Sequence, residues 1–575
     1  MKPFLATAVL AWSCLAAGCR ATPPGEAEAI DTFMRRTVPF GFSGSLLVAR
    51  RGHVNLADGY GLADRERGIA YSRAVVFPIG SLTKQFTAAA ILKLEMQGRL
   101  EVGDLIGRHL PGVPADKAAI TIHQLLTHTS GLASDFGEGD DQTVTRDALL
   151  HAALSSVLQA EPGAKFSYSN AGYGLLAAII EIRGGRSYAE FVRDELFLPA
   201  GMERTGDPGL DADPALLPHG YEGSRDLGTV LDRMRSSPGP HWNLVGNGGL
   251  LSTLDDLQRW DRALVGTDVL SEPAKRKLFA PHVATGEGEV HYGYGWYVSK
   301  TVWSTRLIWH TGGDGVFFAG IRRYVDDDVT IVHSSNVASL WSEYPVRGIE
   351  GILFGRPFEL PPRVIAMPPG ARRFEGTFRL AAEGGLTLAL HGDELRVTPI
   401  GQEAYGLLAG AEEADEASLA RHQELTAALL AARDRGDFSP LARAMADGSD
   451  AAGLAQGWRQ YLRDEQPTRG DYRTFSVIGS RPAGSWTVTQ VRLIFARSEL
   501  LLDYLWDGDR LVAVQFSSHP GYVPFRPTGE GTFASYDIVS GKSATLALTG
   551  DELTIASLGR SRAATRNPAA VDGAP

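Results

Sequence analysis

Hydrophobic and polar positions alternate at the two ends of the first part of the chain, a pattern that predicts β-strands. Ser45–Arg50 and Val54–Ala57 are two such runs, and the Arg51-Gly52 pair between them is typical of a two-residue hairpin turn. Strand-forming runs return much later along the chain, at Tyr292–Trp296, Arg306–Trp309, Phe317–Val325 and Val329–Val332. We therefore expect one sheet assembled from both ends of this segment.

Helical spacing dominates between these strands, up to about Trp260. A helix is predicted from Ser81 to Gln97, followed by Gly98, a residue type that commonly ends helices. Its apolar positions recur with the helical period at Leu82, Phe86, Ala89 and Ala90. The predicted fold class is α/β (α+β): an antiparallel sheet flanked by helices, with an inserted all-helical subdomain.

A Pro-rich break at 357–369 separates this segment from a second region of different texture. Short strand-like runs with Gly-rich turns lie at 374–397 and again at 529–555. We predict that residues 370–410 and 525–560 together form a small β domain, so that the C-terminal region is rich in strands.

An α+β insertion is predicted between the two parts of this β domain, over residues 411–520. A helical segment at 411–432 precedes four strand-like runs within 472–516, one hairpin of which turns at Asp507-Gly508. The order of these elements resembles the cone-shaped nuclear-transport-factor-like fold.

Composition narrows the range of partners. The chain has 575 residues, of which 44% are hydrophobic, and a net charge of −11. Its length favours two to four domains, and a chain this acidic lacks the basic surface that nucleic-acid binding requires. We therefore expect a small-molecule or peptide substrate and no nucleic-acid partner.

The N-terminus has the order of a signal peptide: Lys2, an apolar stretch from Phe4 to Ala17, then small residues. The stretch is too short for an ordinary membrane-spanning helix. Leu15 to Cys19 resembles a bacterial lipobox, in which the cysteine is lipidated and becomes the new terminus. We predict a signal peptide at 1–19, a tether at 20–28 and an exported lipoprotein of the cell envelope or periplasm that meets the membrane through its lipid only. The alternative is an ordinary cleaved signal with a chance cysteine.

The only cysteines are Cys14 and Cys19, and cleavage before Cys19 leaves no thiol free to pair. A disulfide framework, a catalytic cysteine and a cysteine zinc site are therefore excluded from the mature chain. No metal site is evident, and no cofactor is expected.

The first candidate for chemistry is Ser81-Leu-Thr-Lys84. A serine at a helix start and a lysine three residues later lie on one face, so the amine can reach the hydroxyl. A serine hydroxyl is a poor nucleophile until a base removes its proton, and a desolvated lysine can become that base. By itself the pair is more typical of an exposed lysine on an amphipathic helix.

Two further groups of residues strengthen the interpretation of Ser81 and Lys84 as a catalytic pair. Tyr168-Ser-Asn170 follows a turn, where a phenol can relay a proton and an amide can bond both a lysine and a substrate carbonyl. Taken alone, Tyr168 is also typical of a loop anchor and Asn170 of an N-cap. The third group is His310-Thr311-Gly312-Gly313, where Gly-rich backbone beside a strand allows close substrate approach. A similar His-Thr-Ser-Gly at 128–131 is interpreted as structural.

In this order and spacing, the three groups resemble the serine β-lactamase and penicillin-binding-protein superfamily. The class C-like branch, with its esterases, D-aminopeptidases and DD-peptidases, is the better match. Supporting phrases lie at Pro78–Thr87, Leu125–Leu132, Leu198–Met202 and Gly248–Thr253. The resemblance covers roughly Ala29 to Gly355, so we expect a serine hydrolase domain at 29–357 with the β-lactamase/transpeptidase-like fold.

The resemblance also implies roles. Ser81 would attack an acyl carbonyl, while Lys84 and Tyr168 share proton transfer, with the identity of the base left open. Asn170 would orient Lys84 and the substrate. The backbone N–H groups of Ser81 and Gly313 would form the oxyanion hole. His310 and Thr311 would contact the rest of the substrate, and Gly312 belongs to the same substrate-binding motif.

One departure bears on the substrate. Class C β-lactamases carry a lysine where this chain has His310. A histidine is mostly neutral near pH 7, which weakens recognition of an anionic substrate. We therefore favour an ester, amide or D-amino-acid peptide bond over efficient β-lactam hydrolysis. A DD-peptidase or β-lactamase is the alternative.

A second alternative is a non-catalytic envelope binding protein on the same fold. It is motivated by the large region beyond Pro369, which carries no recognisable catalytic set. That region would gate the cleft or bind a protein partner of unknown identity. The motifs of other enzyme classes, Gly-x-Ser-x-Gly, His-Glu-x-x-His and Gly-x-x-x-x-Gly-Lys, are absent from the sequence.

Overall fold

The computed structural model describes most of the chain: residues 25–134, 142–208, 213–235, 239, 241–338, 345–380, 384–408, 415–445, 450–483, 486–517 and 521–567. The predicted signal peptide, the lipidation site Cys19 and most of the tether lie outside these ranges. Within them, no helix is both long enough and apolar enough to cross a bilayer.

The N-terminal region contains the following strands, in chain order: β1 (Gly44–Arg50), β2 (His53–Tyr60), β3 (Leu62–Asp64), β4 (Ile69–Ala70), β5 (Phe77–Pro78), β6 (Tyr221–Glu222), β7 (Arg225–Asp226), β8 (Leu251–Ser252), β9 (Val283–Ala284), β10 (His291–Tyr292), β11 (Tyr297–Lys300), β12 (Arg306–Gly313), β13 (Phe318–Tyr324) and β14 (Val329–Ser335). Its α-helices are α1 (Glu26–Thr37), α2 (Thr83–Met96), α3 (Ile122–Leu126), α4 (Arg146–Ser155), α5 (Asn170–Gly184), α6 (Tyr188–Val192), α7 (Leu198–Ala200), α8 (Val230–Arg235), α9 (Leu254–Val265), α10 (Glu272–Leu278) and α11 (Val346–Phe354).

Its main sheet is antiparallel, with the order β2-β1-β14-β13-β12-β11-β10-β9. β1 pairs with β14 from Gly44 opposite Ser335 to Arg50 opposite Val329, so both ends of the region share the centre of the sheet. The Arg51-Gly52 hairpin is confirmed, and both residues have the positive φ that a two-residue turn of this type requires. The predicted fold class is likewise confirmed.

Alternation along β1 explains the layers. Leu47 and Ala49 face the large core that contains α2, α5 and α9, whereas Leu46 and Val48 face a second core built with α1 and α11. Because successive side chains of a strand point to opposite faces, one short apolar strand supports a helical layer on each side of the sheet.

Two local predictions need correction. The helix predicted from Ser81 begins with a 3₁₀ turn, Gly80–Leu82, and becomes α-helical only at Thr83. Gly98 follows its end with φ of 68°. The strand predicted at Tyr292–Trp296 is interrupted, because residues 293–296 form a bend between β10 and β11. Gly295 has φ of 73° there, which breaks the extended conformation.

The C-terminal region contains a closed barrel of β15 (Gly376–Leu380), β16 (Gly385–His391), β17 (Glu394–Ile400), β22 (Val523–Gly529), β23 (Thr532–Asp537), β24 (Lys542–Thr549), β25 (Glu552–Ser557) and β26 (Arg560–Arg566). The elements between β17 and β22 are α12 (Gln402–Leu408), α13 (Glu416–Asp434), α14 (Ser439–Ala444), α15 (Ala451–Arg469) and a sheet of β18 (Tyr472–Ala483), β19 (Trp486–Phe495), β20 (Glu499–Asp507) and β21 (Arg510–Phe516). The nuclear-transport-factor-like resemblance of this insertion stays a prediction.

The barrel packs on the α1/α11 side of the main sheet. The Tyr536 ring in β23 lies 5.8 Å from that of Phe40, and Tyr536 and Ile538 join the core that contains Ile349 and Leu353. The predicted active-site residues Ser81 and Lys84 lie on the other side of the sheet, at the start of α2.

Candidate active site

Ser81 lies at the junction of a short strand and a helix. The 3₁₀ turn Gly80–Leu82 follows β5, and Lys84 is in the first turn of α2. Gly80 has φ of 49°, and a Cβ built on it would lie 2.5 Å from the backbone nitrogen of Gly313. Glycine is therefore required for both the backbone conformation and the close contact. The Ser81 side chain stays partly exposed, while Lys84 is fully buried.

The buried ammonium of Lys84 has three acceptors for its three N–H groups. Its Nζ donates to Ser81 Oγ (3.0 Å), to Asn170 Oδ1 (2.8 Å) and to the backbone carbonyl of Asn247 (2.8 Å). A buried charge is tolerated only when it is hydrogen-bonded in this way. The arrangement fixes the amine beside the serine hydroxyl.

The Tyr168-x-Asn170 pair converges on the same amine. The Tyr168 ring centroid lies 4.8 Å from Lys84 Nζ, within cation–π distance. The N-cap of α5 is Ser169, whose Oγ accepts from the Gly172 N–H (3.1 Å). Asn170 is therefore not the cap, and its side chain is directed to Lys84 instead. The predicted convergence of positions 81, 84, 168 and 170 is present in the structure.

The Gly312-Gly313 end of β12 lies directly against the Ser81 turn. A Cβ on Gly312 would lie 2.1 Å from the carbonyl oxygen of Ile79 and 2.6 Å from the Ser81 nitrogen. Only glycine allows two backbones to approach this closely. Gly313 lines the same cleft as Ser81, so its backbone lies at the wall of the cleft.

His310 is placed differently from the expectation that it meets the substrate. It is only 2% exposed, and protein groups engage both of its ring nitrogens. Nδ1 donates to the carbonyl of Thr311 (2.6 Å), and Nε2 accepts from the Tyr292 hydroxyl (3.0 Å). Burial, aided by the charge of Lys84, lowers the pKa of His310 to about 3. His310 is thus a neutral support behind the cleft, while Thr311 is half-buried.

Sequence reasoning missed two contributors. The Asn247 carbonyl has no signal in sequence, because every residue offers a carbonyl. His128 was interpreted as structural only, yet its ring centroid lies 4.2 Å from that of Tyr168. The positive φ of His128, 58°, is the kind of outlier that marks such a place, but it is visible only in the structure.

The cleft at Ser81 has a volume of about 120 Å³. Apolar side chains form much of its wall: Val230, Met234, Leu244, Val245, Leu250 and Phe317. Three charged side chains also line it, and one of them, Arg233, donates to another, Asp314 (2.8 Å). The third is Asp207. Of the described residues, those that line the cleft all fall between Pro78 and Phe317, and the C-terminal region contributes none.

In the part of the chain that the structure describes, no three His, Cys, Asp or Glu side chains come together in a way that would hold a metal ion.

Comparison with known proteins identifies the family. The family model described as Beta-lactamase matches residues 40–343. The chain belongs to the beta-lactamase family of serine hydrolases. This family assignment confirms the predicted resemblance, and the matched residues include Ser81, Lys84, Tyr168 and Gly313.

The individual proteins that this chain resembles are distant from it in sequence. The chain is 32% identical over 341 residues to penicillin-binding protein 4* of Bacillus subtilis, which covers 56% of this chain and 74% of that protein. The octameric penicillin-binding protein homologue from Pyrococcus abyssi is 17% identical with a TM-score of 0.52, over 95% of this chain and all of that one. D-amino acid amidase from Ochrobactrum anthropi is 22% identical with a TM-score of 0.51, over 58% of this chain and 98% of that one. These two structural likenesses concern the fold alone.

Proposed function

We propose that this protein is a serine hydrolase that cleaves an ester, amide or D-amino-acid peptide bond through an acyl-Ser81 intermediate. One observation carries the proposal: a fully buried lysine amine lies 3.0 Å from the hydroxyl of Ser81, which faces an open cleft. Family membership supports a hydrolase in general, and the contacts of this site support these residues in particular.

The acceptors around Lys84 support it as the proton acceptor. A neutral amine keeps two N–H groups, which the Asn170 and Asn247 carbonyl oxygens would hold. Its lone pair would then face Ser81 Oγ and take the hydroxyl proton as the oxygen attacks the acyl carbon. Tyr168, beside the same amine, would pass that proton to the leaving group. Water would then attack the ester, and the proton transfers would run in reverse.

Backbone N–H groups are proposed to stabilise the oxyanion. The peptides of Ser81 and Gly313 adjoin each other where β12 meets the nucleophile turn. Donors fixed in a rigid strand and turn need no reorganisation during the reaction, which is the main source of electrostatic stabilisation.

The surroundings of the cleft favour a substrate without a carboxylate. His310 is buried and neutral, and the guanidinium of Arg233 already donates to Asp314. Two carboxylates line the cleft beside that single guanidinium. We therefore propose esterase or peptidase activity ahead of efficient β-lactam hydrolysis. The likeness to penicillin-binding protein 4* favours a DD-peptidase or β-lactamase as the second candidate.

A panel assay tests the proposal. Purified wild type and Ser81→Ala are compared on p-nitrophenyl esters, D-alanyl peptides and nitrocefin, and labelled with a fluorophosphonate. We expect ester or peptide turnover and labelling in wild type only. Equal labelling of both proteins would refute the acyl-Ser81 intermediate. An undiminished biological effect of Ser81→Ala would favour a non-catalytic envelope binding protein.

We also propose, from the N-terminal sequence, that the protein is exported to the bacterial envelope and anchored through a lipid on Cys19. Metabolic labelling with palmitate, with Cys19→Ser as control, tests this. An unlabelled wild-type protein would leave the ordinary cleaved signal as the explanation.

A further inference from the structure

His128 contacts the backbone on both sides of Tyr168. The Ser167 N–H donates to the His128 carbonyl (2.8 Å), and the Ser169 N–H donates to His128 Nδ1 (3.0 Å). The His128 ring also lies against the Tyr168 ring, with centroids 4.2 Å apart and an interplanar angle of 31°. One residue, far away in sequence, thus contacts all three residues of the 167–169 segment.

The segment around His128 is hydrogen-bonded to several positions of the loop that carries Tyr168. Further bonds join 129–134 to this loop: Gln159 N–H to Gly131 O (2.8 Å), Gly163 N–H to Thr129 O (2.7 Å), Ala171 N–H to Ser134 O (3.0 Å) and Ser169 Oγ to Ala133 O (2.7 Å). His128 itself has φ of 58°, a conformation that only a minority of non-glycine residues adopt. Such strain persists where the surroundings enforce it, commonly at functional sites.

The ring holds the Ser169 N–H only in one protonation state. Because Nδ1 accepts a hydrogen bond, the proton of the neutral ring must lie on Nε2. Burial, followed by the charge of Lys84, holds the pKa of His128 well below its usual value. The ring therefore stays neutral, and the Nδ1 acceptor persists through the ordinary pH range.

We propose that His128 is a positioning residue for Tyr168: its carbonyl, Nδ1 and ring face together fix the phenol ring beside the Lys84 amine. His128 does not line the cleft and acts only through Tyr168. The inference rests on the proposed role of Tyr168 in proton transfer, and it extends that role to a residue of the His-Thr-Ser-Gly segment.

A double-mutant cycle tests the proposal on the full-length protein. His128→Phe keeps a planar ring and removes the acceptor, whereas His128→Asn keeps a side-chain acceptor and tolerates positive φ. We expect His128→Phe to lower kcat on a p-nitrophenyl ester about 10- to 100-fold, as expected for a displaced catalytic group. KM should change less than about threefold, and His128→Asn should recover part of the loss. In a Tyr168→Phe background, His128→Phe should lower kcat no further.

His333→Asn is the matched control, since His333 is also a buried histidine of this region but does not line the cleft. It should leave kcat unchanged. Wild-type kcat in folded His128→Phe, or an equal loss in the Tyr168→Phe background, would overturn the inference. Unchanged kcat in Tyr168→Phe alone would instead refute the proposed role of Tyr168. If His128→Phe does not fold, the cycle is run with His128→Gly, which removes both the ring and its acceptor and adopts positive φ readily, and the same two outcomes decide.

Discussion

Lowering the pH from 8 to 5 should destabilise the hydrolase domain by protonating histidines that are neutral when folded. His310 and His333 are both buried, and burial lowers the pKa of each to about 3, helped by Lys84 and by Arg322 respectively. The unfolded chain, with a histidine pKa near 6.5, binds more protons between these values. The contribution of these two neutral histidines to the stability of the folded state is therefore fully present above about pH 6.5. It is lost progressively as the pH falls towards 3.

The size of the effect follows from the same values. Each of the two histidines lowers the free energy of unfolding by about 1.4 kcal/mol for every pH unit below 6.5, hence by about 2 kcal/mol at pH 5. His333→Asn removes one of these groups. Its loss of stability between pH 8 and pH 5 should therefore be smaller than that of wild type by about 2 kcal/mol, whatever its stability at pH 8.

Urea unfolding at the two pH values measures this difference, with tryptophan fluorescence as the signal. The buried Trp260 and Trp296 contribute to it from within the hydrolase domain. His53→Asn, in the exposed start of β2, is the control and should behave as wild type. An equal loss of stability in wild type and His333→Asn would refute the argument that burial keeps this histidine neutral.

Three further changes test the site. Gly312→Ala should lower kcat/KM at least about 100-fold in the ester assay, because its methyl group would displace the Ser81 turn; near-wild-type turnover would contradict the observed contact. His310→Lys should lower the melting temperature and give no nitrocefin hydrolysis, because it would add a second buried cation near Lys84; a functional β-lactamase would be the contrary result. Asn170→Ala should cost about 1–3 kcal/mol in urea unfolding, because it leaves one N–H of a buried ammonium unpaired; wild-type stability would argue against that bond.

The sequence was sufficient to predict the elements with strong local signals. The Arg51-Gly52 turn, the glycine that follows the end of α2 and most strand runs of the main sheet depend on local backbone preferences. The pairing of Ser81 with Lys84 was predictable for the same reason, since three residues span less than one helical turn.

Contacts across long stretches of chain could not be predicted. The support of Tyr168 by His128, the carbonyl of Asn247 and the burial of His310 behind Tyr292 are set by tertiary packing. Closure of the barrel depends on β15 pairing with β26, two strands separated by the whole insertion. Hydrophobic alternation predicts each strand but not its partner.

The order in which this domain is synthesised conflicts with the order in which its central strands pair. Ser45 and Ser334, 289 residues apart, meet through their hydroxyls at 2.7 Å in the middle of the sheet. During translation, β1 can pair with β2 at once, but its pairing with β14 must await the synthesis of the residues between them, and contacts of such high sequence separation form slowly. We therefore expect the main sheet to close only after β14 has been synthesised.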